Sequence, residues 1–252
     1  MLAGKAVLVT GAAHGIGAAV AAAVVEEGGA VALLDIDPAG EATAAGLAER
    51  GSAHFYPCDV RVLAEVERAV TAAERALGRF DGLVNNAGVN AYFDAVTMGE
   101  EDWESVFAVD LKAAWMLAKV TLPGLIERRG AIVNMSSIQA RLTIEGFFPY
   151  AAAKAGLEGL TRSLALDYGP AGVRVNAVAP GYTDTRLVRE WLGLQADPRS
   201  VLEGVLARVP LGRIAEPREI AEVVVFLLSE RASAITGATI AVDCGLGARF
   251  AT

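Results

Sequence analysis

Ala6-Val7-Leu8-Val9-Thr10-Gly11-Ala12-Ala13-His14-Gly15-Ile16-Gly17-Ala18-Ala19-Val20 decides the fold. It reads as a buried strand, a glycine-rich turn and the opening of an alanine-rich helix running from Ile16 to Glu27. Gly28-Gly29 ends that helix, and Val31 to Leu34 is a second strand. The alternation then repeats. A helix from Pro38 to Arg50 precedes a strand around His54 to Pro57, and a helix from Leu63 to Leu77 precedes the strand Gly82 to Asn85. A long helix around Trp103 to Ile126, a strand Ala131 to Met135, a helix Ala151 to Tyr168, a strand Val173 to Val178 and a late strand Thr239 to Val242 follow. Apolar strands alternating with helices predict an α/β fold, a Rossmann-like doubly wound parallel sheet with helices on both faces. With no Pro/Gly/Ser linker or charge run dividing it, the chain is expected to form a single domain over residues 1–252. Residues 184–216 lack a strand and are long for a connection, the pattern of a lid over a ligand site; the plainer alternative is a packed helical excursion.

Apolar residues make up 54% of the chain and charged residues 21%, so a substantial core is available. Lys plus Arg number 22 against 30 Asp plus Glu, and the formal charge of -8 argues against nucleic acid or an anionic membrane as a partner. The two cysteines, Cys58 and Cys244, fit no metal-ligand spacing, and no metal site is expected. Without a signal-like start or an apolar run of membrane-spanning length, the sequence points to the cytoplasm.

Gly11, His14, Gly15, Ile16 and Gly17 lie where a doubly wound fold presents a helix N-terminus to a pyrophosphate. Glycines there also serve tight turns, so context carries the reading. Asp35 supplies it: it closes the second strand roughly 20 residues on, where a carboxylate bonds both adenosine ribose hydroxyls. The same carboxylate repels a 2'-phosphate by about 3 kcal/mol per unit pair at about 5 Å and an effective dielectric of about 20. Neither His14 nor Ile36 brings a fixed positive charge to reverse this, so NAD is expected over NADP.

Tyr150 and Lys154 stand at i and i+4 near the head of a helix and share one face. A lysine ammonium roughly 5 Å from a phenol would lower its pKa by about two units from about 10, bringing it towards acid/base range near neutrality. Such pairs also occur on solvated helix faces, and the neighbours decide.

Six motifs in order resemble those of the short-chain dehydrogenase/reductase family across essentially the whole chain. They are Thr10 to Gly17, Cys58-Asp59-Val60, Asn85-Asn86-Ala87-Gly88, Ser136-Ser137, Tyr150-Ala151-Ala152-Ala153-Lys154, and Pro180-Gly181 with Thr183 and Thr185. The resemblance implies that Asp59 and Val60 hold adenine, and that Asn86, Ala87 and Gly88 line the nicotinamide half of the groove. Pro180 and Gly181 would flank the ring, Thr183 through its backbone and Thr185 through its hydroxyl would hold the carboxamide, and Lys154 would bond the nicotinamide ribose. Ser137, thirteen residues before Tyr150, would hold the substrate oxygen while Tyr150 exchanges its proton and a hydride passes between substrate carbon and nicotinamide. One position departs from the family. Val109-Asp110-Leu111-Lys112 carries Asp110 where most members have an asparagine that fixes a helix irregularity and, through its carbonyl, a relay water. Aspartate keeps the carbonyl but loses the amide donor. Members commonly form homotetramers through two long helices, which implies the same here.

The substrate expected is a small alcohol or ketone, a sugar or polyol in particular. Gln139, Arg141, Thr143, Glu145, Asn90, Tyr92, Arg186, Arg189 and Trp191 offer polar partners for several hydroxyls. Phe147, Phe148, Leu187 and Leu192 keep a steroid or lipid substrate as an alternative, and the resemblance adds a 3-oxoacyl-carrier-protein reductase, from which Asp35 and the acidic composition point away. A reading from another class is a catalytically impaired NAD-binding regulator or scaffold, with Asp110 as the mark of lost turnover.

Overall fold

The computed structural model describes residues 1–248. Among the described residues seven strands make one parallel sheet: β1 (Ala6–Thr10), β2 (Ala30–Asp35), β3 (Ala53–Pro57), β4 (Gly82–Asn85), β5 (Ala131–Met135), β6 (Arg174–Pro180) and β7 (Thr239–Val242). Their order is β3-β2-β1-β4-β5-β6-β7. The chain therefore winds one way from β1 to β3 and the other way from β4 onwards, leaving a switch point outside the carboxyl ends of β1 and β4. Thr10 pairs with Leu34 and Val9 with Val84, which brings the glycine turn beside the end of β4.

Helices cover both faces because alternate strand residues point opposite ways. Val7, Val9, Val31, Leu33, Val84 and Val133 pack under α1 (Gly15–Glu26), α2 (Gly40–Ala48) and α9 (Pro217–Leu228). Leu8, Ala32, Leu34, Leu83, Ile132 and Val175 pack under α3 (Leu63–Leu77), α5 (Ala113–Arg128) and α6 (Tyr150–Tyr168). The long helix expected from Trp103 to Ile126 is interrupted. It runs as α4 (Glu100–Phe107), a π-helical turn over Ala108–Lys112, and α5. One extra residue in that turn rotates Asp110 inward, where it is 1% exposed. Within 184–216 the chain forms α7 (Arg186–Gly193) and α8 (Pro198–Arg208), and Trp191, Val205 and Val209 pack with Phe147 into a small apolar cluster of their own. No helix among the described residues is long and apolar enough to cross a membrane.

Candidate active site

A cleft of about 810 Å³ runs along the carboxyl edge of the sheet. One end is formed by the β1–α1 turn. Gly11 and Gly15 have φ of +62° and +56°, a left-handed backbone that glycine adopts without strain. Helix α1 starts without a side-chain cap and without an acidic residue in its first turn, so its amide dipoles face the cleft uncompensated. Gly17, expected at the cofactor turn, sits behind the residues that line the cleft. A Cβ there would lie 2.1 Å from the Gly11 carbonyl oxygen, so its bare backbone lets α1 close against the turn. Thr10 and Asn86 brace the same turn. The Thr10 hydroxyl accepts from the Asn86 and Ala87 amides at 3.0 and 3.1 Å, and the Asn86 amide group donates to the Thr10 and Gly11 carbonyls at 3.0 and 2.9 Å.

Gly11, His14, Gly15, Ile16, Asp35, Ile36, Asp59, Val60, Asn86, Ala87, Gly88, Pro180, Gly181, Thr183 and Thr185 all line the cleft. At its outer end the Ala13 and Asp37 amides donate to the Asp35 carboxylate at 2.8 and 2.9 Å, which fixes its oxygens with lone pairs left over. Two neighbours were not legible in the sequence. Asp37 accepts from Ala39 and faces His14 at 3.0 Å, and the Ala39 amide and His14 hold its carboxyl below the ordinary range. Arg61 grips Asp59 at 2.7 Å and lowers it likewise, so the Asp59 carboxylate already has a partner. Thr185 caps α7 by accepting from the Val188 amide at 3.3 Å, and the Thr183 hydroxyl, nearly buried, donates to the Gly181 carbonyl at 3.3 Å. The donor set fits a dinucleotide: uncompensated amides at one helix start, a carboxylate one strand away, and hydroxyls at the far end.

The other end holds Ser137, Tyr150 and Lys154, brought together from the end of β5 and the first turns of α6. Lys154 Nζ donates to the Met135 carbonyl at 3.2 Å and pairs with Asp110 Oδ1 at 3.0 Å. It also stands over the Tyr150 ring, 5.4 Å from its centre. The titration differs from the expectation of a lowered phenol pKa. Burial pushes the Tyr150 phenol above its ordinary value, Lys154 pulls it down, Asp110 pushes it up and the Ser137 bond pulls it down, leaving it raised. Burial works against the Lys154 ammonium, and Asp110 and Tyr150 outweigh burial and keep it charged.

Beside Tyr150 the wall is mixed. Asn90, Gln139 and Thr143 line it with Leu142, Ile144, Phe147, Leu187, Val188, Trp191 and Leu246. Two polar residues singled out in the sequence are engaged elsewhere, Arg141 with Glu158 at 3.1 Å and Arg189 with Asp184 at 3.1 Å, while Arg186 lines the cleft and pairs with Glu190 at 3.3 Å and with Asp37 at 3.7 Å. Tyr92 packs edge-on against Phe147, and Tyr182, unmarked in the sequence, packs against Trp191. Among the described residues no three His, Cys, Asp or Glu side chains are placed to hold a metal.

The sequence profile of a family described as enoyl-(acyl carrier protein) reductase matches residues 11–247. A 2-(S)-hydroxypropyl-CoM dehydrogenase of Xanthobacter autotrophicus is 40% identical, the alignment covering 97% of each chain. A D-threitol dehydrogenase of Mycolicibacterium smegmatis is 39% identical over 96% of this chain and 92% of that one. The solved structure of an aldohexose dehydrogenase from Thermoplasma acidophilum superposes with a TM-score of 0.92 at 35% identity, covering 100% of this chain and 97% of the other.

Proposed function

Because the chain belongs to the short-chain dehydrogenase/reductase family, an oxidoreductase family that uses nicotinamide cofactors, we propose that it interconverts a secondary alcohol and a ketone with NAD, Tyr150 being the acid/base. The observation that carries the reading is convergence: Ser137, Tyr150 and Lys154 open onto the same cleft that reaches Asp35. The nicotinamide ring, when bound, supplies the hydride acceptor or donor. In the oxidative direction Tyr150 takes the alcohol proton while the Ser137 hydroxyl holds the oxygen on which negative charge grows. Lys154, held by Met135 and Asp110, keeps an ammonium beside the phenol and presents a donor towards the cofactor's ribose. Asp35 favours NAD because its carboxylate accepts from ribose hydroxyls and repels a phosphate in their place.

The substrate class that fits this reading is a small sugar or polyol. Asn90, Gln139 and Thr143 offer hydrogen bonds, the aromatic wall of Phe147 and Trp191 suits the C–H face of a sugar ring, and relatives named for D-threitol and aldohexose share the family. Residues 184–216 act as the lid in this reading, since α7 brings Leu187, Val188 and Trp191 to the cleft. A homotetramer built on α5 and α6 accords with Trp115 and Leu166 being left exposed on them, and a cytoplasmic setting with Cys58 and Cys244 being unpaired. The test is NADH formation with NAD or NADP against sugars, polyols, hydroxy acids, steroids and acyl thioesters. Turnover favouring NAD and a polyhydroxylated substrate is expected; no turnover with any alcohol would leave the scaffold reading, and a steroid or acyl thioester leading the panel would overturn the substrate class.

A further inference from the structure

We propose that the buried Asp110 carboxylate is a positioning residue that sets the pH at which Tyr150 releases its proton, acting through Lys154 without touching substrate. The inference rests on the assignment of Tyr150 above. Its geometric basis is the ion pair between Asp110 Oδ1 and Lys154 Nζ, 3.0 Å long, with both side chains almost wholly out of solvent. Three segments are shaped around it. The π turn Ala108–Lys112 turns Asp110 inward, the first turns of α6 deliver Lys154, and the segment after β4 supplies Gly88 and Val89. A Cβ on Gly88 would fall 2.8 Å from Asp110 Oδ1 and 3.3 Å from Lys154 Nζ, so the absent side chain is the space the pair occupies. The Val89 amide approaches both carboxylate oxygens at 3.4 Å.

An isolated lysine ammonium favours a neighbouring phenolate because the two charges cancel. With a carboxylate already on that ammonium, the buried pair is neutral, and ionising Tyr150 leaves the cluster with a net negative charge in a poorly solvated site. An amide in place of the carboxylate leaves the ammonium unbalanced, and ionising Tyr150 then neutralises it. The phenol therefore gives up its proton at higher pH with Asp110 than with an uncharged isostere. Other groups facing the cluster do not change this sign. Tyr92, after β4, is pushed up to about 12 and stays neutral. Ser136 and Ser137, after β5, are neutral, and Glu158, one turn along α6 from Lys154, is balanced by Arg141.

The test is tyrosinate absorption of the ligand-free protein against pH, taken as the difference between chains with Tyr150 and with Tyr150→Phe, on the parent and Asp110→Asn backgrounds. It is joined by the pH profile of kcat/KM with NAD and an alcohol. In Asp110→Asn both midpoints are expected about one pH unit or more lower, the size of shift a nearby charge produces. An unmoved or raised Tyr150 midpoint overturns the proposal, including where kcat falls without a shift, which is what a merely structural role would give. If Asp110→Asn does not fold, Asp110→Ser takes its place in the same titration: a Tyr150 midpoint below that of the parent supports the proposal, and an unmoved or raised one overturns it. Absence of turnover with every alcohol would count against the proposed function, and the spectroscopic titration would still decide this point.

Discussion

In the proposed mechanism the chemistry at Tyr150 depends on a single oxygen. Tyr150→Phe removes the hydroxyl and keeps the ring, so turnover is expected to fall by about 100-fold or more while NADH binding, followed by its fluorescence, stays close to that of the parent. Activity within a few-fold of the parent would take Tyr150 out of its role. In the proposed function Asp35 sets the choice of cofactor in the same one-residue manner. Asp35→Ala deletes an acceptor for ribose hydroxyls and a repulsion against phosphate together, and the ratio of kcat/KM for NAD over NADP is expected to fall by at least about tenfold; an unchanged ratio would place specificity elsewhere. These two residues could be found in the sequence because their partners are close in it: Lys154 one helical turn on, and the glycine turn one βα unit back. Arg61 on Asp59 was not found because an arginine two residues from an acid has no pattern that tells pairing from solvation, and His14 on Asp37 was not found because the two lie 23 residues apart on different segments.

Among the elements, the β1–α1 turn and the π turn do the most to position the site. Gly17→Ala would drive a methyl into the Gly11 carbonyl. Moving α1 off the turn is expected to cost about 1–3 kcal/mol in chemical denaturation and to weaken NAD binding with it. Unchanged stability and affinity would show that α1 has room to shift. The turn's glycines, its strand and its helix were all legible, since a buried strand followed by Thr10 to Gly17 admits few conformations. The break between α4 and α5 was not legible as geometry. The family resemblance placed a helix irregularity at Asp110, but nothing in the periodicity of Ala108 to Lys112 marks a π turn or shows that it turns Asp110 inward to meet Lys154 on another helix.

Across the whole molecule, the sheet order creates the switch point, and α7, within residues 184–216, lines one side of the cleft there. Leu194 and Gln195 lie between α7 and α8, with Leu194 exposed, while Trp191 is buried against Phe147 and Tyr182. If this segment is a lid, NAD together with substrate should slow protease cleavage near Leu194 several-fold, and Trp191→Ala should raise the substrate KM more than the NAD KM. Equal cleavage with and without ligands would return the segment to a packed excursion. Sequence by itself determined the parallel doubly wound sheet and the glycine turn between β1 and α1, because local periodicity and short spacings encode them, and the family resemblance singled out Ser137, Tyr150 and Lys154, which the fold brings to one cleft. Tertiary structure alone decided that Lys154 shares its charge with Asp110, that burial leaves the Tyr150 phenol raised, and that Arg141 and Arg189 are tied to Glu158 and Asp184 instead of facing the cleft. Those outcomes depend on which distant segments meet and how much water they exclude, and desolvation and charge pairing have no signature in the order of residues along the chain.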